Sequence, residues 1–125
     1  LSNGSYTLNT NSVVHDLDTI EETVELASFA TNQDDYNIGR GTSFTIQTSA
    51  TPSADITGIT GGVNGRVIHL INRGNRDIIF RHEDSNSSAN NRFLFLRASD
   101  PLIEQYQTIS LRYVGGSINR WIRQE

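Results

Sequence analysis

The chain has 125 residues and a formal net charge of −4, and this length predicts a single domain with one core. All ten basic residues are Arg, and the acidic balance disfavours general binding to nucleic acid or to membrane surfaces. The absence of Cys excludes disulfides, thiolate metal sites and a cysteine nucleophile. Asn, Ser and Thr make up 37 of the 125 residues, which favours an all-β protein with hydrogen-bonding loops over a helical bundle.

The N-terminal segment has a weak pattern. Residues 1–18 carry short apolar pieces, Tyr6 with Leu8 and then Val13 with Val14, among Asn, Ser and Thr. These residues are too polar to form a core alone. We predict an N-terminal arm or an edge strand that contributes to assembly.

The remaining residues, 19–125, are predicted to form one β-domain.

The chain begins at Leu1 without Met, and its first residues lack the basic and apolar regions of a signal peptide. It also has no apolar run approaching the length of a membrane span. We therefore expect a fragment or a processed product of a longer protein.

The segment 18–30, DTIEETVELASFA, is compatible with two local structures. Asp18 followed by Glu21 fits a capping box at the start of a helix. The alternation of Val24 and Leu26 with polar neighbours fits a strand instead. We favour the strand, because the residues that follow are β-rich.

From residue 43 onward, short β-rich runs alternate with turn residues, a spacing typical of a sandwich or barrel. The predicted strands are 43–48, 56–60, 66–72, 78–82, 93–97, 108–113 and 119–123. No segment repeats another at a fixed period, which argues against a solenoid. We therefore predict an antiparallel β-sandwich or jelly-roll-like domain of about eight strands.

The sequence contains no complete catalytic pattern. Ser117 lies in VGGSINR, a turn sequence, and not in a GxSxG nucleophile elbow. The three His residues lie in separate elements, which does not predict a metal site. Asp84 and Asp100 could approach each other as a carboxylate pair for glycan cleavage, but solvated surface charge is the simpler interpretation. We predict no enzyme activity, no cofactor and no metal.

The segment 83–91, EDSNSSANN, is long, polar and without apolar anchors, and is therefore predicted to be a surface loop. Its side chains can hydrogen-bond sugar hydroxyls, or they can satisfy their own backbone in turns. The candidate ligand-binding residues of the loop are Asp84, Ser85, Asn86 and Ser87.

Trp121 is the only tryptophan and could serve as a sugar-stacking platform. It lies between Arg120 and Ile122 in the last predicted strand. This setting favours a core or inter-subunit residue.

The order of motifs in residues 56–122 resembles a β-domain of structural proteins of tailed bacteriophages. This family comprises tail fibres, spikes and head fibres or decorations. The motifs are ITGITGGVNGRVIHLIN, IIFRH, a Ser/Asn loop ending in ANNRFLFL, TISLRY, a Gly turn and NRW. The resemblance implies a trimeric, predominantly antiparallel β-domain at the exposed end of a virion appendage.

The resemblance also implies structural roles for single positions, in turns, beside the variable loop and in a closing hairpin. These positions are Gly61, Gly62, Gly65, His82, Asn91, Arg92, Tyr113 and Trp121. After Arg97 the chain departs from the family pattern, because ASDPLIEQYQ replaces the common Gly-rich turn.

Two functions of different classes follow. The first is a non-enzymatic virion structural module, either a tail fibre or spike tip that attaches to host-surface glycans, or a capsid head fibre or decoration. Its partners would be two further copies in a homotrimer and other virion proteins, with no nucleic acid and no membrane insertion. The alternative is a glycan-degrading hydrolase or esterase domain of a phage spike. The failed catalytic patterns favour the first.

Overall fold

The structure, a computed structural model, describes residues 22–124 of the chain. These residues are all-β, as the composition predicted, and they include no α-helix. Two short 3-10 helices span Ala89–Asn91 and Leu96–Ala98. The strands of the described part are β1 (Val24–Glu25), β2 (Ser43–Ile46), β3 (Ser53–Ile56), β4 (Val67–Asn72), β5 (Asp77–Phe80), β6 (Phe93–Leu94), β7 (Leu102–Ile103), β8 (Thr108–Val114) and β9 (Arg120–Arg123).

The strands form two sheets through which the chain winds repeatedly. The larger sheet has the order β1-β2-β4-β8-β9-β6, and the smaller has the order β3-β5-β7. β1, β2 and β4 stack in parallel in the larger sheet, and β3 and β5 stack in parallel in the smaller one. Three isolated parallel bridges extend the stacking: Phe29–Thr48, Gln33–Ile56 and Tyr36–Ile59.

The result is a solenoid-like stack of three coils. We define the first coil as residues 24–36, the second as residues 43–60 and the third as residues 67–82. Each passes through both sheets or through bridges that align with them. The core lies between the two sheets.

This stacking differs from the predicted antiparallel sandwich, and the sequence argument against a solenoid is wrong. The register partners Val24 and Phe44 are 20 residues apart, whereas Phe44 and Leu70 are 26 residues apart. Because the loops between stacked strands differ in length, the coils share no fixed sequence period. A search for a fixed repeat therefore could not detect them.

The third coil is closed by antiparallel strands in both sheets. β8 pairs antiparallel with β4 and β9 pairs antiparallel with β8, while β7 pairs antiparallel with β5. β6 then adds to β9 in parallel, with Phe93 opposite Trp121. The predicted hairpin near the end of the sequence is thus present, as β8 and β9.

Several strand boundaries differ from the prediction. The strand predicted at 56–60 is instead Ser53–Ile56, because Ala54 and Ile56 supply the buried side of the alternation. The strand predicted at 93–97 ends at Leu94, since the chain turns at Arg97, where φ is +58°. β7, a strand of two residues, was not predicted.

The strand interpretation of segment 18–30 is confirmed for the described residues. β1 covers Val24–Glu25, and Phe29 forms a bridge with Thr48. The predicted arm or edge strand, residues 1–18, lies outside the described residues, so that prediction stands as it was.

The core contains two groups of contacting aromatic rings near the closed end. Phe93 contacts Phe80 edge to face and stacks on Phe95, with ring centroids 5.5 and 5.3 Å apart. Trp121 is fully buried and meets Tyr113 edge to face. Trp121 is therefore a packed core residue in this chain.

Candidate functional site

The loop 83–91 is fixed to the first two coils by a buried hydroxyl network. Ser87 is buried, and its Oγ accepts a hydrogen bond from the backbone N–H of Asp35 at 2.8 Å. The same Oγ lies 2.7 Å from Oγ1 of Thr57, which donates to the Asp34 carboxylate at 2.6 Å. Ser87 is thus an anchor of the loop, with its hydroxyl already bonded inside the protein.

The Asp35 carboxylate holds the end of the same loop. Its Oδ1 accepts hydrogen bonds from the backbone N–H of Ser88 at 2.8 Å and from Nδ2 of Asn91 at 2.9 Å. The Asn91 side-chain hydrogen bond is the main reason why the pKa of Asp35 lies below its usual range. Asp35 has a φ of +48°, an uncommon backbone conformation for a non-glycine residue.

The close approach of the loop also requires a glycine beneath it. A Cβ added to Gly58 would lie 2.5 Å from Oγ of Ser87 and 2.7 Å from the carbonyl oxygen of Asn91. Any larger residue at position 58 would push the loop away from the second coil.

The loop is exposed on both sides of the buried Ser87, and residues 88–90 are exposed after it. Ser85 and Asn86 are exposed, and Asp84 is half-buried. Oδ1 of Asp84 accepts the backbone N–H of Asn86 at 2.9 Å, the Asx-turn arrangement that satisfies a loop's own backbone. Of the four candidate ligand-binding residues, only these three offer polar groups toward solvent.

The closing hairpin meets the other end of the loop. The Tyr113 hydroxyl donates to the carbonyl oxygen of Asn90 at 2.7 Å, and burial raises the pKa of Tyr113. Nε1 of Trp121 donates to the carbonyl oxygen of Ile59 at 2.9 Å. A Cβ on Gly62 would lie 2.1 Å from the Tyr113 ring. These contacts join the loop, the second coil and the hairpin at one place.

His82 and Arg92 flank the loop and bind backbone groups. Nδ1 of His82 accepts the backbone N–H of Phe95 at 2.9 Å, and its own backbone N–H donates to Asp100 at 2.8 Å. Nε of Arg92 donates to the carbonyl oxygen of Ser87 at 2.9 Å. Both side chains hold the geometry of the loop and its neighbours.

The turn before β4 contains two glycines in the left-handed backbone conformation. Gly61 and Gly65 have φ values of +82° and +92°. The guanidinium of Arg66 donates to the carbonyl oxygens of Gly61, Gly39 and Gly41, at distances between 2.8 and 3.0 Å. Arg66 thereby fastens this turn to the loop that follows the first coil.

A second Arg links all three coils. Arg73 follows β4, and its guanidinium donates to the carbonyl oxygen of Leu26 at 2.7 Å and to that of Thr45 at 3.0 Å. These acceptors belong to the first and second coils. The planar fork of donors on Arg suits this double attachment.

The described residues contain one exposed Ser–His pair. Nδ1 of His69 lies 2.7 Å from Oγ of Ser110 on the outward face of the larger sheet. Within residues 22–124, the hydrogen bonds of His69 include none to a carboxylate, so no third group orients the imidazole as in a hydrolytic triad. The pair is an outward-facing cross-strand contact.

The other chemical groups considered from the sequence are engaged elsewhere. Asp100 accepts from His82 and forms an ion pair with Arg81 at 3.3 Å, and Arg81 also pairs with Asp55 at 3.1 Å. Asp84 bonds within its own loop. Across residues 22–124 there is no group of three His, Cys, Asp or Glu side chains that could hold a metal ion.

No family model, curated protein or solved structure matches this chain. In the part of the chain that the structure describes, no helix is long and apolar enough to cross a membrane.

The anchoring residues of the first two coils were not identified from the sequence. Asp35 lies in a polar segment and Thr57 in the predicted strand 56–60, and nothing in either local pattern separates an anchor from a solvated side chain. Asn72 is fully buried, and its Nδ2 donates to the carbonyl oxygens of Arg76 and Ile103. The β-rich run around Asn72 was visible in the sequence, but the acceptor Ile103 is 31 residues away and could not be found from the local pattern.

Proposed function

We propose that this chain is a non-enzymatic structural module of a virion, located on an exposed appendage of the tail or the head. The observation that carries the proposal is the use of its polar side chains. Asp35, Ser87 and Thr57 fix the long loop, and Arg66 and Arg73 fasten the coils to one another. Side chains committed to internal hydrogen bonds make a rigid body and leave few groups free for chemistry.

The solenoid-like stack supports a role in a projecting structure. Backbone pairing continues from β2 through β4 to β8, and the antiparallel strands complete the stack at one end. A stack that ends in this way suits the outer end of a fibre or spike. The resemblance of residues 56–122 to domains of tailed-phage structural proteins points to the same class of protein.

A homotrimer is part of the proposal. The outward face of the larger sheet carries half-buried apolar side chains: Leu94 in β6 lies opposite Ile122 in β9, and Val67 lies in β4, with the exposed Arg112 of β8 between Ile122 and Val67. Half-buried apolar side chains on an outward face are a surface that association of copies would cover. Light scattering at micromolar concentration should give three times the chain mass, and a monomer mass would contradict the trimer.

The location on the particle tests the structural role directly. Antibodies raised against the chain, with a gold label, should mark purified particles of the encoding virus by electron microscopy. Label at the tail tip supports attachment to host glycans, whereas label over the head supports a capsid fibre or decoration. Absence of the chain from purified particles would contradict the proposal.

An activity assay tests the competing enzyme class. We expect no release of reducing ends or acyl groups when the protein is incubated with capsule or lipopolysaccharide from the host. Turnover that disappears on substitution of Asp84 or Ser110 would establish a hydrolase.

A further inference from the structure

The end of β9 and the turn that follows β6 line a groove on the surface. It has a volume of about 410 Å³, within the range of small-molecule binding sites. The half-buried side chains of Leu94, Pro101 and Ile122 line it, and so does the buried Phe95. Leu96 also lines the groove and is 79% exposed, so a large apolar side chain stands at its mouth. The groove therefore offers an apolar surface to a ligand.

Two arginines without partners line the same groove. In the described part of the chain, the guanidinium groups of Arg97 and Arg123 form no hydrogen bond and no ion pair. The described lining residues include no Asp or Glu. Asp100, which precedes Pro101, is already bound by Arg81 and by a backbone N–H. The positive charge of the two guanidinium groups is therefore not neutralised by a carboxylate in the groove.

A third arginine adds to this positive charge. Arg112 in β8 is the register partner of Ile122, is exposed, and also has no hydrogen bond or ion pair to any described residue. The whole chain has a formal net charge of −4, so the positive charge around the groove is a local feature. Charge of one sign beside apolar walls raises the local concentration of ligands of the opposite sign. The groove thus favours an anion.

The turn that carries Leu96 and Arg97 is held by backbone hydrogen bonds. The N–H of Ala98 donates to the carbonyl oxygen of Phe95 at 3.1 Å, and that of Ser99 donates to Leu96 at 3.2 Å. Arg97 and Ala98 have φ values of +58° and +53°, which are uncommon for non-glycine residues. Backbone conformations of this kind are concentrated at ligand-binding and active sites. The turn lies where the chain departs from the pattern of tailed-phage structural proteins, so the resemblance does not account for it.

We propose that this groove binds a small organic carboxylate with an aliphatic or aromatic body. The apolar body would lie on Leu94, Leu96 and Ile122. The carboxylate would accept hydrogen bonds from Arg97 and Arg123, because the planar fork of donors on a guanidinium matches a carboxylate. A phosphate monoester carries more charge at neutral pH, so its removal from water beside apolar side chains would cost more.

A second copy of the chain is the competing occupant, because Leu94 and Ile122 also belong to the outward face on which the proposed trimer relies. Two observations favour the small carboxylate. The groove has the volume of a small-molecule site, and its unpaired guanidinium groups select a negatively charged occupant. The inference goes beyond the proposed virion function and does not depend on it.

Titration of the full chain with hexanoate, followed by NMR, tests the site. We expect saturable shifts of the methyl signals of Leu96 and Ile122, with a Kd of about 1 to 10 mM, the affinity of a small fragment. Hexanamide has the same chain without the charge, and acetate has the charge without the chain. Each should bind at least about fivefold more weakly, because it lacks one of the two contacts. Equal binding of hexanoate and hexanamide would overturn the proposal.

Removal of the two arginines tests the carboxylate contact. Arg97→Gln combined with Arg123→Gln should raise the Kd of hexanoate at least about tenfold. The matched control is Arg40→Gln combined with Arg76→Gln, which removes the same charge from two side chains that do not line the groove and have no partner among the described residues. The control should leave the Kd within about twofold, because distant charges are screened. An equal loss of affinity in both double variants would overturn the proposal.

Light scattering on the same samples separates the two occupants. A trimer in which hexanoate shifts the signals of neither Leu96 nor Ile122 would overturn the proposal in favour of a contact between copies. A monomer that binds hexanoate would support the proposal and contradict the trimer. A trimer that binds hexanoate would support both.

Discussion

The two ends of the described stack differ in how far their apolar side chains are covered. At the third coil, antiparallel strands return across both sheets, and the core residues there, such as Trp121 and Leu111, are fully buried. At the first coil no such return exists within residues 22–124, and the apolar residue Val24 remains exposed. The comparison shows that similar alternating sequences can be buried or exposed, depending on which other strands cover them. The local sequence pattern does not contain that information.

The largest expected effect is at the closed end. Trp121→Ala should lower the free energy of unfolding by about 3 to 5 kcal/mol, since a fully buried indole leaves a cavity and loses its hydrogen bond to Ile59. Ile118 is 40% exposed in the adjacent turn, and Ile118→Ala is the matched control, with a change of about 0.5 kcal/mol or less. Urea unfolding of both variants measures the difference.

A glycan-binding measurement on the same variant separates packing from recognition. If Trp121 were an exposed sugar platform, Trp121→Ala would lose glycan binding while its melting temperature stayed within about two degrees of the parent, below the usual effect of one kcal/mol. That result would contradict the core assignment.

A pair of glycine substitutions probes the junction of second coil and hairpin. Gly62→Ala should cost about 1 to 3 kcal/mol, because the new Cβ would lie 2.1 Å from a Tyr113 ring that is held by its own hydrogen bond. Gly65→Ala meets open space, and its cost should be about 1 kcal/mol from the positive φ of +92° alone. Equal thermal shifts in the two variants would show that the Tyr113 contact is not a constraint.

The loop anchor should respond to pH. The pKa of Asp35 lies below its usual value in the folded chain, so its contribution to stability is present above the usual carboxyl range and disappears as pH falls through the lowered value. Asp35→Asn should cost about 1 kcal/mol at neutral pH and less in acid. Asp84→Asn, in the same loop, is the control and should cost less at neutral pH than Asp35→Asn, because Asp84 accepts only the backbone N–H of the nearby Asn86.

The smallest expected effect on stability is that of replacing Arg73, whose side chain links the three coils. Arg73→Lys should cost about 0.5 to 1 kcal/mol, because an ammonium group cannot span the carbonyl oxygens of Leu26 and Thr45 as a guanidinium does. Arg123 is exposed, and Arg123→Lys should change the melting temperature little. A larger loss for Arg123→Lys than for Arg73→Lys would contradict the role given to Arg73.

The sequence predicted the local structure better than its assembly. Alternation identified β2, β4, β5, β8 and β9 approximately, because each strand buries one side of a regular pattern. Parallel stacking was missed, since loop lengths between register partners vary and leave no period. β7 was missed because its two residues, Leu102 and Ile103, are too few to show alternation.

For the candidate site, too, the sequence predicted the local structure but not the long-range contacts. The surface position of loop 83–91 followed from its polarity, but the burial of Ser87 did not, because its partners Asp35 and Thr57 are 52 and 30 residues away. Long-range hydrogen bonds of this kind depend on which coils meet. Arg66 and Arg73 show the same limit. The composition shows that every basic residue is Arg, but it does not show which backbone carbonyl oxygens these two side chains bind.

The parallel stacking of the coils is tested most directly by one pair of disulfide variants. Ser53 is the register partner of Asp77 in the parallel pairing of β3 with β5, and both are half-buried. Ser53→Cys with Asp77→Cys and Asp55→Cys with Ile79→Cys should therefore each form a disulfide within one molecule, because both are pairs of register partners. Antiparallel pairing of the same strands that brings Ser53 to Ile79 would bring Asp55 to Asp77, so disulfides in those two combinations and none in the first two would contradict the stacked coils.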